Sequence, residues 1–183
     1  GFIIKTGNGY EYTFGKGVSV KGVLDIGQSK DIDDYHHFAY IKNALVKWSI
    51  GRFTLQGGMI GTTQFNYQEK FWGYRYIYKS FQDQYKFGSS ADLGISASYR
   101  IAKWIEADVI IANGEGYKLV QADNGLLYGV GTTIKPFKGM SIRLYASLNE
   151  GTKGEKDIIN YAMFAGYKHK YFSLGVEYNI MRN

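Results

Sequence analysis

From Ala91 to Ile101 apolar and polar side chains alternate without a break, with Ala91, Leu93, Ile95, Ala97, Tyr99 and Ile101 set against Asp92, Gly94, Ser96, Ser98 and Arg100. A period of two puts each set on its own face of an extended strand. The same pattern returns at Trp104–Ala112, where Ile105, Ala107, Val109 and Ile111 oppose Glu106 and Asp108. Tyr128, Val130, Thr132 and Ile134 then oppose Gly129, Gly131, Thr133 and Lys135, and Ile142, Leu144, Ala146 and Leu148 oppose Arg143, Tyr145, Ser147 and Asn149. Ile159–Tyr167 leads to a last strand in which Phe172, Leu174, Val176, Tyr178 and Ile180 oppose Ser173, Gly175, Glu177 and Asn179. Upstream, Gly9–Phe14 and Val18–Ile26 form a hairpin about Gly15-Lys16-Gly17, and His37–Ile50 and Phe53–Thr63 form another about Gly51-Arg52. The pattern predicts an all-β chain of about ten antiparallel strands in one domain.

The connections between these strands alternate short and long, as in barrels with tight turns on one side of a membrane and longer loops on the other. Aromatic residues gather beside the short turns: Tyr12 and Phe14, Trp48 and Phe53, Tyr99 and Trp104, Phe137, Tyr171 and Phe172. Indole and phenol rings favour the boundary between hydrocarbon and water, so this distribution suits an interfacial girdle. Strands of about ten residues, tilted near 40°, cover an apolar band of about 25 Å. The expectation is therefore an antiparallel transmembrane β-barrel. A soluble closed barrel of lipocalin type has the same period with its apolar face inward. Polar faces rich in Gly and Ser and poor in Lys and Glu favour the membrane alternative.

One stretch escapes the alternation. Gln64–Gly88, QFNYQEKFWGYRYIYKSFQDQYKFG, is a long connection dense in aromatics. Within it Trp72, Tyr74, Tyr76 and Tyr78 fall on every second position, with Gly73, Arg75, Ile77 and Lys79 between them. An extended ribbon would lay the rings on the barrel wall as loop anchors and turn the cations toward the lumen. Glu69, Lys70, Arg75, Lys79 and Asp83 are on this basis the candidate constriction residues, because opposing charges across a narrow aqueous path orient ions and dipolar solutes. Asp92, Arg100, Glu106, Asp108, Lys135, Arg143 and Glu177 are the candidate lumen-facing charges. Their structural alternative is a wall network in which they satisfy one another.

Composition narrows the function classes. The 183 residues include 17 Tyr, 24 Gly, a single Pro and no Cys, which suits long strands and removes disulfides and thiolate metal sites. No apolar run approaches the roughly 18 residues of a membrane helix, and the mean hydropathy of −0.27 is compatible with strands that are apolar on one face only. A net charge of +6 is spread along the chain without a basic cluster, which argues against nucleic acid and suits a channel that attracts anions.

The runs QEKFWGYRYIYKSFQDQYKFGSSADLG and IIANGEGYK, with AYIKNALVKWSIGRFTLQGGMIGTTQF before them, resemble an outer-membrane porin family of Gram-negative bacteria related to the phosphate-selective porins O and P. The resemblance implies a passive diffusion channel for small polar or anionic solutes in the outer membrane. It also implies a sixteen- or eighteen-stranded barrel, often trimeric, of which this chain would be an internal portion. The ending Met181-Arg182-Asn183, without a terminal aromatic, agrees with that expectation. The phosphate-selective members carry a ladder of arginines and lysines along the pore, whereas the lumen positions here mix both signs, a departure that speaks against phosphate specificity. A non-conducting barrel serving as a scaffold in a larger outer-membrane complex is the alternative function.

No catalytic or cofactor chemistry is expected. Asp31, Asp33 and Asp34 lack the glycine and distal glutamate of an EF-hand loop. His36 and His37 point to opposite faces of a strand, and His169 falls in a turn. Gly7-Asn8-Gly9 and Gly114-Glu115-Gly116 precede no helix, so they are not nucleotide fingerprints. No grouping of Ser, His and acid stands out, so an enzyme is not expected.

Overall fold

The computed structural model describes residues 2–6, 9–28, 37–119, 124–152 and 154–183. Eleven strands form one antiparallel sheet: β1 (Phe2–Thr6), β2 (Gly9–Gly15), β3 (Val18–Gln28), β4 (His37–Ile50), β5 (Phe53–Gly61), β6 (Ala91–Ala102), β7 (Ile105–Ala112), β8 (Leu127–Ile134), β9 (Met140–Asn149), β10 (Ile158–Lys168) and β11 (Ser173–Arg182). Every strand pairs with its neighbours in sequence, so the sheet order is the chain order. Strands β1 and β11 are its two edges, and the sheet is not closed. The all-β antiparallel expectation holds, with β1 as a strand that the alternation had not marked. It pairs from Phe2 opposite Thr13 to Thr6 opposite Gly9. The acidic run Asp31, Asp33 and Asp34, with His36, lies outside the described residues.

Strand β4 shows why the upstream alternation is harder to read. Val23 pairs with Asn43 and Leu24 with Ile41, which leaves Lys42 as an extra residue in a bulge. The bulge shifts the phase, so Ala44, Val46, Trp48 and Ile50 share a face with Ile41 and Ala39 although one set is even-numbered and the other odd. A second irregularity, at Ile101, ends the clean pattern of β6 just before its turn.

The two faces of the sheet have inverted polarity relative to a soluble fold. The exposed face carries Leu24, Ile26, Val46, Leu93, Ile95, Val109, Val130, Leu144, Met163, Leu174 and Val176, all open to the surroundings. On the opposite face the buried side chains are largely polar: Ser19, Asp92, Ser96, Asp108, Thr133, Ser141, Arg143, Ser147 and Asn160. The chief apolar cluster on this covered face, Leu45, Ile60, Ile110, Ala112 and Leu127, is small. Burial of apolar area normally drives folding in water, and here most of that area is left outside.

The covered face is covered by the chain itself. Between β5 and β6 the connection folds into α1 (Asn66–Trp72) and the single turn α2 (Phe81–Gln84), and it packs back onto β8–β11. The β7–β8 connection reaches across to β3, where the Tyr117 hydroxyl donates to Asp25 Oδ2 at 3.2 Å. A contact spanning four strands requires the sheet to curve around this face. Neither helix is long enough to cross a membrane.

Candidate functional site

The inserted connection is helical where an extended ribbon was expected, and the difference has a local cause. Glu69 in the first turn and Lys70 in the last complement the helix dipole of α1, and Gly73, at φ +76°, ends it by donating its N–H to Glu69 O at 2.9 Å. The chain then makes a turn in which the amides of Ile77 and Tyr78 both bond to Tyr74 O. Trp72, Tyr74, Tyr76 and Tyr78 therefore do not share one face of a strand. They stay exposed, Tyr76 at 81%, and Trp72, Tyr74 and Tyr76 stack edgewise on one another instead of lining the wall.

Other residues seat the loop. Phe65 is fully buried, and Gln64, Gln68 and Gln82 are nearly so. Gln64 Nε2 donates to Gln82 Oε1 and to Phe87 O, each at 3.0 Å, which ties the start of the loop to its end. Phe71 meets Phe164 of β10 edge-on at 5.1 Å between centroids, and the Tyr67 hydroxyl donates to Ser141 Oγ of β9 at 2.9 Å. Asn160 and Lys168 of β10 donate to Phe87 O and Phe71 O. A Gly at position 73 after an Asn-Tyr-Gln-Glu-Lys run was the sequence signal for this helix. The buried glutamines carried no signal.

The candidate constriction charges divide into a satisfied set and an open one. Arg75 bridges the two helices, with Nε 2.8 Å from Glu69 of α1 and Nη2 2.7 Å from Asp83 of α2. Burial opposes its charge, yet the two carboxylates outweigh that and hold the guanidinium above its ordinary value. Arg75 is thus a strut between α1 and α2 within a triad of one cation and two anions. Lys70 and Lys79 make no ion pair among the described residues.

Of the seven candidate lumen-facing charges, Asp92, Asp108 and Arg143 are buried on the covered face, Glu177 is half-buried, and Arg100, Glu106 and Lys135 are exposed near the short turns. Arg143 is the hub: Nη1 and Nη2 bond Asp108 at 2.7 and 3.0 Å, Nη1 also donates to Thr133 Oγ1 at 2.9 Å, and Nη2 donates to Thr63 O at the root of the loop. Gly131 makes room for this pair, since a Cβ there would fall 2.5 Å from Arg143 Nη2. Asp92 accepts the amides of Leu93 and Gly114 at 2.8 and 2.7 Å, so it organises backbone. Arg100, Glu106 and Lys135 behave differently. With Lys103, Tyr67 and Thr133 they line a cavity of about 310 Å³ toward the short-turn end, and the Lys135 ammonium lies 5.8 Å from the Tyr67 ring centre. Glu177 accepts from Asn179 and lines a second cavity, of about 260 Å³, with Lys79, Phe71, Trp72, Tyr78 and Phe164.

Two further groups carried no mark in the sequence, one toward the long-connection end of β3 and one near its short-turn end. Asp25 binds the bulge residue Lys42 at 3.4 Å as well as Tyr117, and Lys42 also faces the Tyr117 ring. Burial first, and the Asp25 carboxylate next, push the Tyr117 phenol up to about 12. On β2, Glu11 accepts from Lys47 and from Ser19.

Three cations facing one carboxylate in the larger cavity form an electropositive recess, and nothing in it resembles a nucleophile with its base. Among the described residues no group of three or more His, Asp or Glu is placed to hold a metal ion. Set beside known protein families, curated proteins and solved structures, the chain matches none.

Proposed function

We propose that this chain is the wall segment of a β-barrel in the outer membrane of a Gram-negative cell, related to the phosphate-selective porins, and that it forms a passive diffusion channel for small polar or anionic solutes. The observation that carries this reading is the inverted polarity of the sheet: an apolar face left exposed along β3–β11, and a polar face covered by an inserted loop. Lipid is the solvent in which that exposed face costs nothing, whereas in water it forms an apolar patch far larger than monomers carry. The aromatic residues beside the short turns support the same orientation. The two free edges support closure by additional strands, as in a barrel of sixteen or eighteen, with a homotrimer or larger outer-membrane assembly as its setting.

Within such a barrel the inserted loop narrows the passage, and Arg100, Lys103 and Lys135 make its short-turn mouth attractive to anions. Recording of the complete protein in planar bilayers tests this. Stepwise conductance with a reversal potential on the anion-selective side is expected; a silent barrel that nonetheless inserts would refute the channel. The tight seating of Phe65, Gln64, Gln68 and Gln82 favours a second reading, a plugged scaffold, and that silent result is its signature.

A further inference from the structure

The five connections at the short-turn end share a charge pattern of which the channel reading uses only Lys103 and Lys135. Each of the five presents at least one exposed cation: Lys16 between β2 and β3, Arg52 between β4 and β5, Lys103 between β6 and β7, Lys135 and Lys138 between β8 and β9, and Lys170 between β10 and β11. None of the five connections contains a carboxylate. At the opposite ends of the strands the connections at 29–36, 113–126 and 150–157 hold both signs with carboxylates in excess, and the connection at 62–90 holds both signs with cations in excess. Cations without carboxylates are therefore the mark of the short-turn end.

Position strengthens the pattern. Exposed rings stand beside the cations at this end, including Phe14, Trp48, Trp104, Phe137 and Tyr171. Lys170 lies 4.4 Å from the centre of the Tyr171 ring, and Arg52 keeps free donors after giving Nη1 to Ile101 O at 3.1 Å. Rings mark the depth at which acyl chains give way to headgroups, so the cations one or a few residues beyond them stand at headgroup level.

We infer that the short-turn rim is a docking surface for anionic phospholipid headgroups, with Lys16, Arg52, Lys103, Lys138 and Lys170 binding their phosphates in a ring around the barrel. The inference rests on the reading of this sheet as a membrane wall. Each cation is expected to favour an anionic lipid over a zwitterionic one on the order of fivefold at low salt. The preference acts within about one Debye length, roughly 10 Å at 0.1 M salt, and so belongs to the rim and not to the long-loop end.

The test uses the three tryptophans. In the complete protein, Trp72 and any tryptophan outside these 183 residues are changed to Phe, which leaves Trp48 and Trp104, both beside the short turns. The protein is reconstituted in phosphatidylcholine vesicles containing one-tenth phosphatidylglycerol, with bromine on the acyl chains of one lipid or the other. Quenching by brominated phosphatidylglycerol should exceed its bulk share severalfold, and the excess should vanish in 1 M salt and when all five cations are changed to Gln. If the five-site variant fails to insert, the salt titration on the unaltered rim still decides. Quenching in proportion to bulk composition overturns the lipid site and leaves the membrane wall intact. An excess that survives high salt and the five substitutions overturns the assignment to these cations. Quenching by neither lipid removes the membrane wall and this inference with it.

Discussion

Breaking the Asp108–Arg143 pair should destabilise the wall and release the loop together. The two side chains are 4% and 9% exposed and meet in a two-pronged contact, so solvent screens them little. Removing one partner of such a pair leaves a buried charge and costs about 3–5 kcal/mol. Arg143→Met keeps much of the stem volume but strands Asp108 and also removes the donor to Thr63 O. Asp108→Asn leaves that donor in place, with Thr133 Oγ1 still accepting from Arg143. Both single variants should therefore lose stability in urea unfolding of the reconstituted protein. Only Arg143→Met should speed amide exchange around Thr63–Phe71. The double variant Asp108→Leu/Arg143→Met removes both charges and should recover enough to give a coupling of about 2 kcal/mol or more. Additive losses, or single losses under about 1 kcal/mol, would mean that the pair does not hold the loop.

Val109→Arg or Leu144→Arg on the exposed face should cost about 2–4 kcal/mol in a bilayer, and Ser98→Arg on the covered face much less; equal costs in unfolding titrations would reverse the assignment of the faces. Ser98 is a better control than Ser96, which is buried. Changing Arg75 to Ala leaves Glu69 and Asp83 uncompensated, so permeability should shift toward cations, with Lys79→Ala adding to the shift; both should shrink as salt rises, and an unchanged reversal potential would put the loop outside the solute path. Tyr117 supplies a pH test. Its phenol is raised to about 12 from an ordinary 10, so it keeps its proton in the folded state while the unfolded chain loses it. Its contribution is complete below pH 10 and is lost as pH rises through 12, and Tyr117→Phe should remove that part of the alkaline loss, read by phenolate absorbance and unfolding together.

The strands were legible because one face of each is uniform: Leu93 to Ile101 and Leu144 to Leu148 read off without any knowledge of their partners. The register of the last four strands follows from that alternation and from turn lengths. What escaped depended on partners distant in sequence. The bulge at Lys42 appears only once β3 lies beside β4, and the seating of Tyr67 and Phe87 depends on strands more than 70 residues away. Every-second-position rings from Trp72 to Tyr78 imitated a strand, but Gly73 and the Glu69–Arg75–Asp83 strut favour two helical turns with a bend between them. Period alone grouped Asp92, Asp108, Arg143 and Glu177 with the other polar positions of their strands, whereas the division of the charges into a locked pair and an open recess came from distances that no spacing encodes.

The neighbour-to-neighbour order of the strands also fixes a sequence of events during assembly. Hairpins such as β4–β5 and β6–β7 close over a few residues, so their loop-closure entropy is small and they can form as soon as their two strands exist. The inserted loop cannot follow the same schedule. Its tethers join Thr63 to Arg143, Tyr67 to Ser141, Phe87 to Asn160 and Phe71 to Lys168, across separations of 73 to 97 residues. The segment is made before β6, yet its seat is not finished until β10 has been laid down. For that interval its glutamines and phenylalanines have no resting place, and the segment stays open to off-pathway contacts until β10 closes over it.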